Sequence, residues 1–451
     1  MTDPETIWHG YQAAWEMARG YEGQFGHKLN APYVFLPLCA VFLGGLFDWR
    51  RPWRVANLDL LALLAFGLSH IWFNRGEIGV SVPLQYPPLL YLFGRALWIG
   101  FRGRGEGLRP VWPAAWLLIA ALFLVGFRVG LNMADSGVID VGYAGEVGAN
   151  RIAHGEPVYD NFPENVSEGD TYGPVNYFAY VPFERIWPWS GTWNDLPAAH
   201  GAAIFFDLST FALLFLLGRR IRPGPEGQKL GATLAFGWAA YPYTAFVLQS
   251  NSNDTLVAML LVATLLVLTR PVLRGGMLAL ATFTKFAPAL LAPMLLTYRR
   301  ERRMVFATAF VLTSFAVMAW TIFDPGLVTF YERTISYQAG RDSPFSIWGQ
   351  VESLEPLRIA ILIGIGALSL LLAFRPRRKT LTQVAALGAA LLIGLQLTAQ
   401  HWFYLYIVWF YPLLLVAMGV GGLSPSSLPP APRSNSCPEG ALNSSPPKAV
   451  T

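Results

Sequence analysis

Apolar residues follow one another in long runs over most of this chain, and short polar segments rich in arginine separate the runs. Several runs approach the roughly 20 apolar residues that a helix needs to cross a bilayer. The pattern therefore predicts an all-α, polytopic transmembrane helical bundle with about eleven spans. The predicted spans are residues 33–47, 55–73, 83–101, 112–131, 198–217, 230–248, 255–269, 304–323, 357–374, 380–400 and 402–420.

The positions of Lys and Arg predict how the spans are oriented, because short segments rich in these residues stay on the cytoplasmic side. Six such segments contain Arg50, Arg51 and Arg54; Arg102, Arg104 and Arg109; Arg219, Arg220, Arg222 and Lys229; Arg270 and Arg274; Arg299, Arg300, Arg302 and Arg303; and Arg375, Arg377, Arg378 and Lys379. We therefore expect residues 1–30 and the loops 135–197 and 324–356 on the outer face. Residues 31–422 form the expected membrane domain, and the tail 423–451, rich in Pro and Ser, is expected to be disordered in the cytoplasm.

Two apolar segments do not fit the alternation of sides. Residues 171–189 lie between an outer loop and a span that ends inside, so we expect a short interfacial or re-entrant element. Residues 275–298 lie between two arginine clusters and must enter and return. We expect a hairpin of two short half-helices with its bend near residues 285–288, because irregular backbone at membrane depth is tolerated where it lines a cavity.

The composition argues against several classes of protein. Of 451 residues, 54% are hydrophobic and 14% charged, and the net charge of +5 comes from the short arginine segments. The positive charge therefore indicates how the chain is oriented in the membrane rather than nucleic-acid binding. With two cysteines and no Gly-rich loop after a strand, we expect no metal site, no cofactor and no nucleotide site. A substrate attached to a lipid fits better than a sugar nucleotide.

A set of polar residues is expected to converge on the outer face. Polar groups at membrane depth cost free energy, so such a set is a candidate functional site. It combines a carboxylate-rich loop with scattered cations. Its members are Asp135, Asp140, Tyr143, His154, Asp170, Gln249, Asn251, Asn253, Asp254, Lys285, Arg333, Arg341, Asp342, His401 and Tyr404. The chemistry that suits this set is removal of a proton from a hydroxyl by a carboxylate while cations bind a phosphate leaving group.

A simpler explanation stays open for each of these residues. A loop carboxylate is often only solvated, and His401 can be an interfacial histidine. Lys285 lies too deep in an apolar run to reach solvent easily, and it can pair with a carboxylate for structure alone. Four further charged residues within predicted spans can pair with one another inside the bundle: Asp59, Arg95, Arg128 and Asp207.

Five stretches carry a resemblance to a known family. In chain order they are "DVGYAGEVGANRIAHGEPVYD", "YGPVNYFAYVP", "QSNSNDTL", "ATFTKFAPALLAPMLL" and "HWFYLYIVWFYP". Their order resembles the GT-C superfamily of integral membrane glycosyltransferases, which use polyprenol-phosphate sugars, and within it glycosyltransferase family 87. The resemblance covers about residues 112–420 and rests on the order of the motifs and on the side of the membrane that they share.

The resemblance implies an inverting hexosyltransferase, similar to mannosyltransferases, in the plasma membrane of a bacterium and acting on its cell envelope. The implied partners are a polyprenyl-phosphate-linked sugar donor, a glycolipid or glycan acceptor and membrane lipid, without nucleic acid. By the same resemblance Asp140 is the general base, with Asp135 as the alternative. The implied substrate-binding residues are Tyr143, Gln249, Asn253, Lys285, Arg341 and His401, of which Lys285, Arg341 and His401 stabilise the lipid phosphate as it leaves.

Two other classes of protein remain open. A transporter or flippase of a lipid-linked sugar also needs polar groups within the bundle, but transporters tend to show paired broken helices in two halves. The sequence shows one broken segment, around Lys285, without a matching partner. A structural scaffold would not need Lys285.

Overall fold

The computed structural model describes residues 32–420 apart from Arg104 and Asp342. All regular secondary structure within these residues is helical, which confirms the all-α class. The expectations for residues 1–30 and for the tail 423–451 fall outside the described residues, as do those for Arg104 and Asp342.

We number the α-helices of the described residues in chain order: α1 Pro32–Leu46, α2 Val55–Asn74, α3 Ile78–Arg102, α4 Ala114–Ala134, α5 Asp140–His154, α6 Pro174–Ile186, α7 Pro197–Ile221, α8 Gly224–Ala240, α9 Pro242–Gln249, α10 Asp254–Leu266, α11 Pro271–Thr282, α12 Ala292–Leu296, α13 Arg303–Phe323, α14 Leu327–Tyr331, α15 Tyr337–Gly340, α16 Ile347–Gln350, α17 Glu355–Phe374, α18 Leu381–Leu397 and α19 Ile407–Val420. Short 3₁₀ helices cover Glu164–Val166, Ala287–Leu291, Arg300–Arg302, Glu352–Leu354 and Tyr404–Tyr406, and a π-helical turn covers Glu332–Ser336.

Five of the helices are long and apolar enough to cross a membrane: α2, α4, α7, α13 and α17. Shorter apolar helices, among them α10, α18 and α19, pack beside them in the described part of the chain. Each predicted span contains a helix. The polytopic helical bundle is thus confirmed, whereas the number of eleven spans stays a prediction.

The predicted span 230–248 is not one helix. Helix α8 ends at Ala240, Tyr241 is extended, and α9 begins at Pro242. Proline has no amide hydrogen for the helical hydrogen bond and disfavours helical geometry in the residue before it. The break was not predicted, because hydropathy alone does not register it, and the span itself stays a prediction.

Charged residues inside the bundle are paired, as expected. The Arg95 guanidinium holds both carboxylate oxygens of Asp59, at 2.7 and 2.9 Å, and joins α3 to α2. Arg128 on α4 donates to Asp207 on α7 at 2.8 Å. Since an unpaired charge at membrane depth is costly, these pairs stabilise the contacts between their helices.

Residues 171–189 contain α6, which has 13 residues. At 1.5 Å per residue it spans roughly 20 Å, which is less than a hydrocarbon core of about 30 Å. This length favours the prediction that the segment is not a full crossing, and both that prediction and the depth of the segment in the membrane stay untested. Helices α5 and α6 pack on each other where Gly145 and Gly148 leave room for the rings of Tyr180 and Tyr177.

Residues 275–298 are broken, as predicted. Helix α11 ends at Thr282, a bend follows, and the chain continues as the 3₁₀ helix Ala287–Leu291 and then α12. The two ends of the segment meet, because Arg274 Nη2 donates to the carbonyl of Tyr298 at 3.1 Å. The segment therefore folds back on itself with Lys285 in its bend, and its entry into and return from the membrane stays a prediction.

Candidate active site

The turn between α9 and α10 holds the start of α5. The amide of Ile139 donates to the carbonyl of Ser250 at 3.2 Å, and Asn251 adopts a φ of +50° in this turn. A Cβ atom on Gly142 would lie 2.2 Å from the Asn251 carbonyl oxygen, so no other residue fits without a shift. This approach places Asp140, the first residue of α5, close to the start of α10.

A second close approach joins the start of α6 to the bend after α11. The amides of Gly173 and Val175 donate to the carbonyls of Thr284 and Phe283, at 3.2 and 3.0 Å. A Cβ atom on Gly173 would lie 2.0 Å from the Phe283 oxygen. The glycine is therefore required, and the contact brings the preceding residue, Tyr172, to Lys285.

Lys285 is held by a carboxylate and three aromatic rings. Its Nζ lies 2.6 Å from Asp254 Oδ1, and the same oxygen accepts from Trp409 Nε1 at 2.7 Å. The rings of Tyr172, Tyr406 and Trp409 have their centroids 5.2, 5.6 and 5.1 Å from Nζ. The expected carboxylate partner of Lys285 exists, and the pairing fixes where the lysine charge lies.

Three cavities meet at this point, and Tyr172 lines all of them. The central cavity has a volume of about 40 Å³ and is lined by Asp140, Asp254, Lys285, Arg341 and His401 together with Tyr172. The outer cavity has a volume of about 190 Å³, and its wall includes Asp140, Glu164, Asn165 and Glu168. The apolar cavity has a volume of about 300 Å³, and its wall includes Lys285, Phe286, Leu362, Leu395 and His401.

Asp140 borders both the outer and the central cavity, and it is the one carboxylate in the two described walls that does so. Its Oδ1 accepts from the amide of Val141 at 2.9 Å. Burial raises the pKa of the Asp140 carboxyl above its ordinary value, while the Val141 amide, Arg341 and Lys285 act in the opposite direction. Asp135, by contrast, is exposed at the end of α4 and lines none of the three cavities.

Arg341 reaches the central cavity from a segment that is anchored on both sides. Upstream, Arg333 holds both carboxylate oxygens of Asp170, at 2.7 and 2.8 Å. Downstream, Ser343 Oγ lies 2.9 Å from His401 Nδ1. These contacts attach the segment after α13 to the loop 135–197 and to His401.

The surroundings of His401 favour its neutral form. Burial lowers the pKa of His401 well below the usual value, and Arg341 and Lys285 lower it further. A neutral imidazole can donate or accept a hydrogen bond. The role of His401 in stabilising the lipid phosphate stays a prediction.

Three predicted substrate-binding residues lie beneath the cavities and do not line them. The Tyr143 ring packs on Trp193 with 4.5 Å between centroids. Gln249 Nε2 donates to a main-chain carbonyl of α4 at 2.9 Å, and Asn253 Nδ2 donates to Asn176 Oδ1 at 2.6 Å. All three side chains are buried. The Gln249 and Asn253 amides hold neighbouring segments together in this structure, and the prediction that the three residues contact substrate stays a prediction.

The aromatic residues around Lys285 were not predicted. Tyr172, Tyr406 and Trp409 belong to the quoted motifs, but aromatic residues make up 14% of the chain, so no single ring is conspicuous. Asp254 was in the expected polar set without a role. The signal that could have identified it is Lys285 itself, because a lysine within an apolar run needs a nearby carboxylate.

The formal charges of the central cavity cancel, since Asp140 and Asp254 face Lys285 and Arg341. Within the described ranges, no three His, Cys, Asp or Glu side chains come together in an arrangement that could hold a metal ion. The expectation of a reaction without a metal or cofactor stays a prediction. The arrangement can take a proton at Asp140 and stabilise negative charge at the two cations.

Comparison with known proteins identifies one family. The sequence model of glycosyltransferase family 87 matches residues 171–399, just over half of the chain. The matched region includes Lys285 and Arg341, whereas Asp140 and His401 lie outside it. Among curated proteins, none matches the chain significantly.

Proposed function

Because the chain belongs to glycosyltransferase family 87 and is a membrane glycosyltransferase, we propose that it transfers a hexose, such as mannose, from a polyprenyl phosphate to a hydroxyl of a glycolipid or glycan. The reaction takes place at the outer face of a bacterial plasma membrane. The observation that carries the proposal is the position of Asp140 between an outer cavity and a central cavity that contains two cations.

The acceptor occupies the outer cavity, and its hydroxyl meets Asp140. The carboxylate takes the hydroxyl proton as the oxygen forms a bond to the anomeric carbon of the donor sugar. The bond from that carbon to the phosphate oxygen breaks, and its electron pair leaves with the lipid phosphate. A single displacement with base and leaving group on opposite sides of the sugar inverts the anomeric centre, as in the analogous hydrolases.

The central cavity stabilises the departing phosphate. Lys285 has three N–H donors, of which one is directed to Asp254, so two remain for phosphate oxygens. Arg341 lines the same cavity and adds a second cation, and the neutral ring of His401 contributes a hydrogen bond. Because these groups are already held in place, little reorganisation is needed as negative charge develops.

The apolar cavity accommodates the lipid of the donor. It joins the central cavity at Lys285 and His401 and extends along Leu362 and Leu395, which lie on α17 and α18. An isoprenoid chain gains free energy by leaving water for such a wall, whereas a nucleotide would bury polar groups against it. This favours a lipid-linked donor over a sugar nucleotide.

The proposal is tested by incubating the purified protein with polyprenyl-phospho-mannose and a panel of glycolipid acceptors, followed by mass spectrometry of the lipids. We expect acceptors that carry one added hexose and an equal amount of released polyprenyl phosphate. GDP-mannose in place of the lipid donor should give no product. Movement of the donor across a vesicle membrane without any product would contradict the proposal and favour a flippase.

The pH dependence of transfer should follow the protonation of Asp140. Its pKa is raised by burial, so kcat/KM should fall as the pH falls through a value higher than the usual aspartate pKa of about 3.9. Measurement of kcat/KM between about pH 4 and 8 gives this midpoint. Asp140→Glu should move it and Asp135→Asn should not. A rate that stays constant down to the ordinary pKa, or a midpoint unmoved by Asp140→Glu, argues against Asp140 as the base.

A further inference from the structure

A fourth cavity opens beside the segment that leads into Asp140. It has a volume of about 510 Å³, within the range of roughly 300–1,000 Å³ that is usual for ligand sites. Its wall is formed by Ser136, Val138, Trp193, Asn194, Leu196 and His200, together with a glycine. Val138 lines this cavity and the next residue, Ile139, lines the central one. The two cavities therefore flank the same short segment.

Trp193 gives the fourth cavity a rigid aromatic wall. Its Nε1 donates to the carbonyl of Val138 at 3.0 Å. The Tyr143 ring packs on it with 4.5 Å between centroids and 32° between planes. The indole is thus held from behind while it lines the cavity. An aromatic face is electron-rich, so it attracts the weakly positive C–H groups on the apolar face of a sugar ring.

Polar groups in the same wall have hydrogen-bonding capacity to spare. His200 Nδ1 lies 3.1 Å from Asn132 Oδ1 and 3.4 Å from Ser136 Oγ, which orients the ring. In the described part of the chain, the other ring nitrogen of His200, Nε2, has no hydrogen-bond partner, and neither has the exposed side-chain amide of Asn194. An amide and an imidazole both pair with hydroxyl groups.

The lack of charged side chains in the cavity wall restricts what the cavity binds. None of the residues that line it carries a charged side chain. A phosphate, a nucleotide or a charged lipid headgroup would lose hydration there without gaining an opposite charge. A lipid chain would in turn bury the amide and the imidazole without hydrogen bonds. A neutral ring with many hydroxyls and one apolar face satisfies both conditions.

We propose that this cavity is a second carbohydrate subsite, which binds a neutral hexose unit of the acceptor glycan remote from the hydroxyl that reacts. The assignment of the bound glycan as the acceptor rests on the proposed function. The subsite itself rests on Trp193, Asn194 and His200. Its position beside the segment that carries Asp140 lets one glycan contact both this cavity and the reaction site.

Binding of α-linked mannotetraose to the purified full-length protein, measured by saturation-transfer NMR and titration, tests the subsite. We expect Trp193→Ala to weaken tetrasaccharide binding about tenfold, the scale of losing one well-packed aromatic contact. The affinity for methyl mannoside, which is too short to reach both cavities, should fall much less. In transfer assays the same variant should raise the KM of the long acceptor more than the KM of methyl mannoside.

Two further variants keep the test decisive. Asn194→Ala removes an exposed amide without a partner in the described residues, so it tests the subsite even if Trp193→Ala does not fold. Thr192→Ala is the matched control, because Thr192 is exposed next to Trp193 and does not line the cavity. It should bind the tetrasaccharide as the unmodified protein does.

Equal binding by all variants, or preferential binding of a neutral peptide of similar size, would overturn the subsite and leave the proposed function intact where transfer occurs. Binding that depends on Trp193 and Asn194 in a protein that transfers no sugar would have the opposite meaning. The carbohydrate subsite would then stand, and the proposed transfer reaction would fail.

Discussion

Replacement of Asp140 by Asn is expected to lower turnover by about 100-fold or more, the usual scale for loss of a general base. Asparagine keeps the shape of the side chain and can still accept the Val141 amide hydrogen bond, but it cannot take a proton from the acceptor hydroxyl. Donor affinity should change little, because the lipid phosphate is held by Lys285 and Arg341. Turnover and donor binding should be measured together on the same preparations.

Asp135→Asn is the matched control for this experiment. Asp135 lies five residues earlier in the same acidic loop, but it is exposed and lines none of the three cavities of the site. It should retain nearly full turnover. If Asp135→Asn is inactive and Asp140→Asn is active, the base is Asp135. If both variants remain active, the acidic loop is not the catalytic centre and a transport function gains support.

Removal of Lys285 is expected to weaken both donor binding and turnover, because the lysine charge acts on the phosphate before and during its departure. Lys285→Ala alone has a second effect, since it leaves the Asp254 carboxylate buried without its cation. Breaking a buried pair in this way costs about 3–5 kcal/mol of stability. The single variant therefore mixes a loss of function with a loss of fold.

A double variant separates the two effects. Lys285→Met with Asp254→Asn removes both charges, keeps similar volumes and leaves an amide oxygen for Trp409 Nε1. We expect this protein to unfold near the temperature of the unmodified protein and to have lost donor binding. Asp254→Asn alone leaves Lys285 buried without its carboxylate, so it should lower the stability as Lys285→Ala does. If the double variant binds and transfers normally, Lys285 serves structure alone.

Several features of the fold could be predicted from local sequence because their physical causes are local. A run of apolar residues has to leave water whatever lies around it, so the helical membrane class followed from the runs themselves. The break at residues 275–298 followed from Lys285 and the prolines in one apolar run between two arginine clusters. The possibility that Asp59, Arg95, Arg128 and Asp207 pair with one another followed from the cost of a lone charge at membrane depth.

The residues that line the site could not be predicted from local sequence in the same way. An amide such as Gln249 or Asn253 satisfies its hydrogen bonds equally well toward a ligand or toward a main-chain carbonyl, and the sequence does not distinguish the two. In the structure both amides donate hydrogen bonds to acceptors within the protein. The split of residues 230–248 was missed for a different reason, because an average of hydropathy ignores the backbone geometry that Pro242 imposes.

The sequence by itself determined that this chain is a helical membrane protein, that Lys285 can pair with a carboxylate and that an acidic loop follows the predicted span 112–131. Only the tertiary structure decided that Asp254 is that partner and that Asp140 lies across the cavity from it. The physical reason is that these residues are joined by backbone approaches between distant segments, Gly142 on Asn251 and Gly173 on Phe283. Such contacts depend on how whole helices pack, which no local pattern of residues specifies.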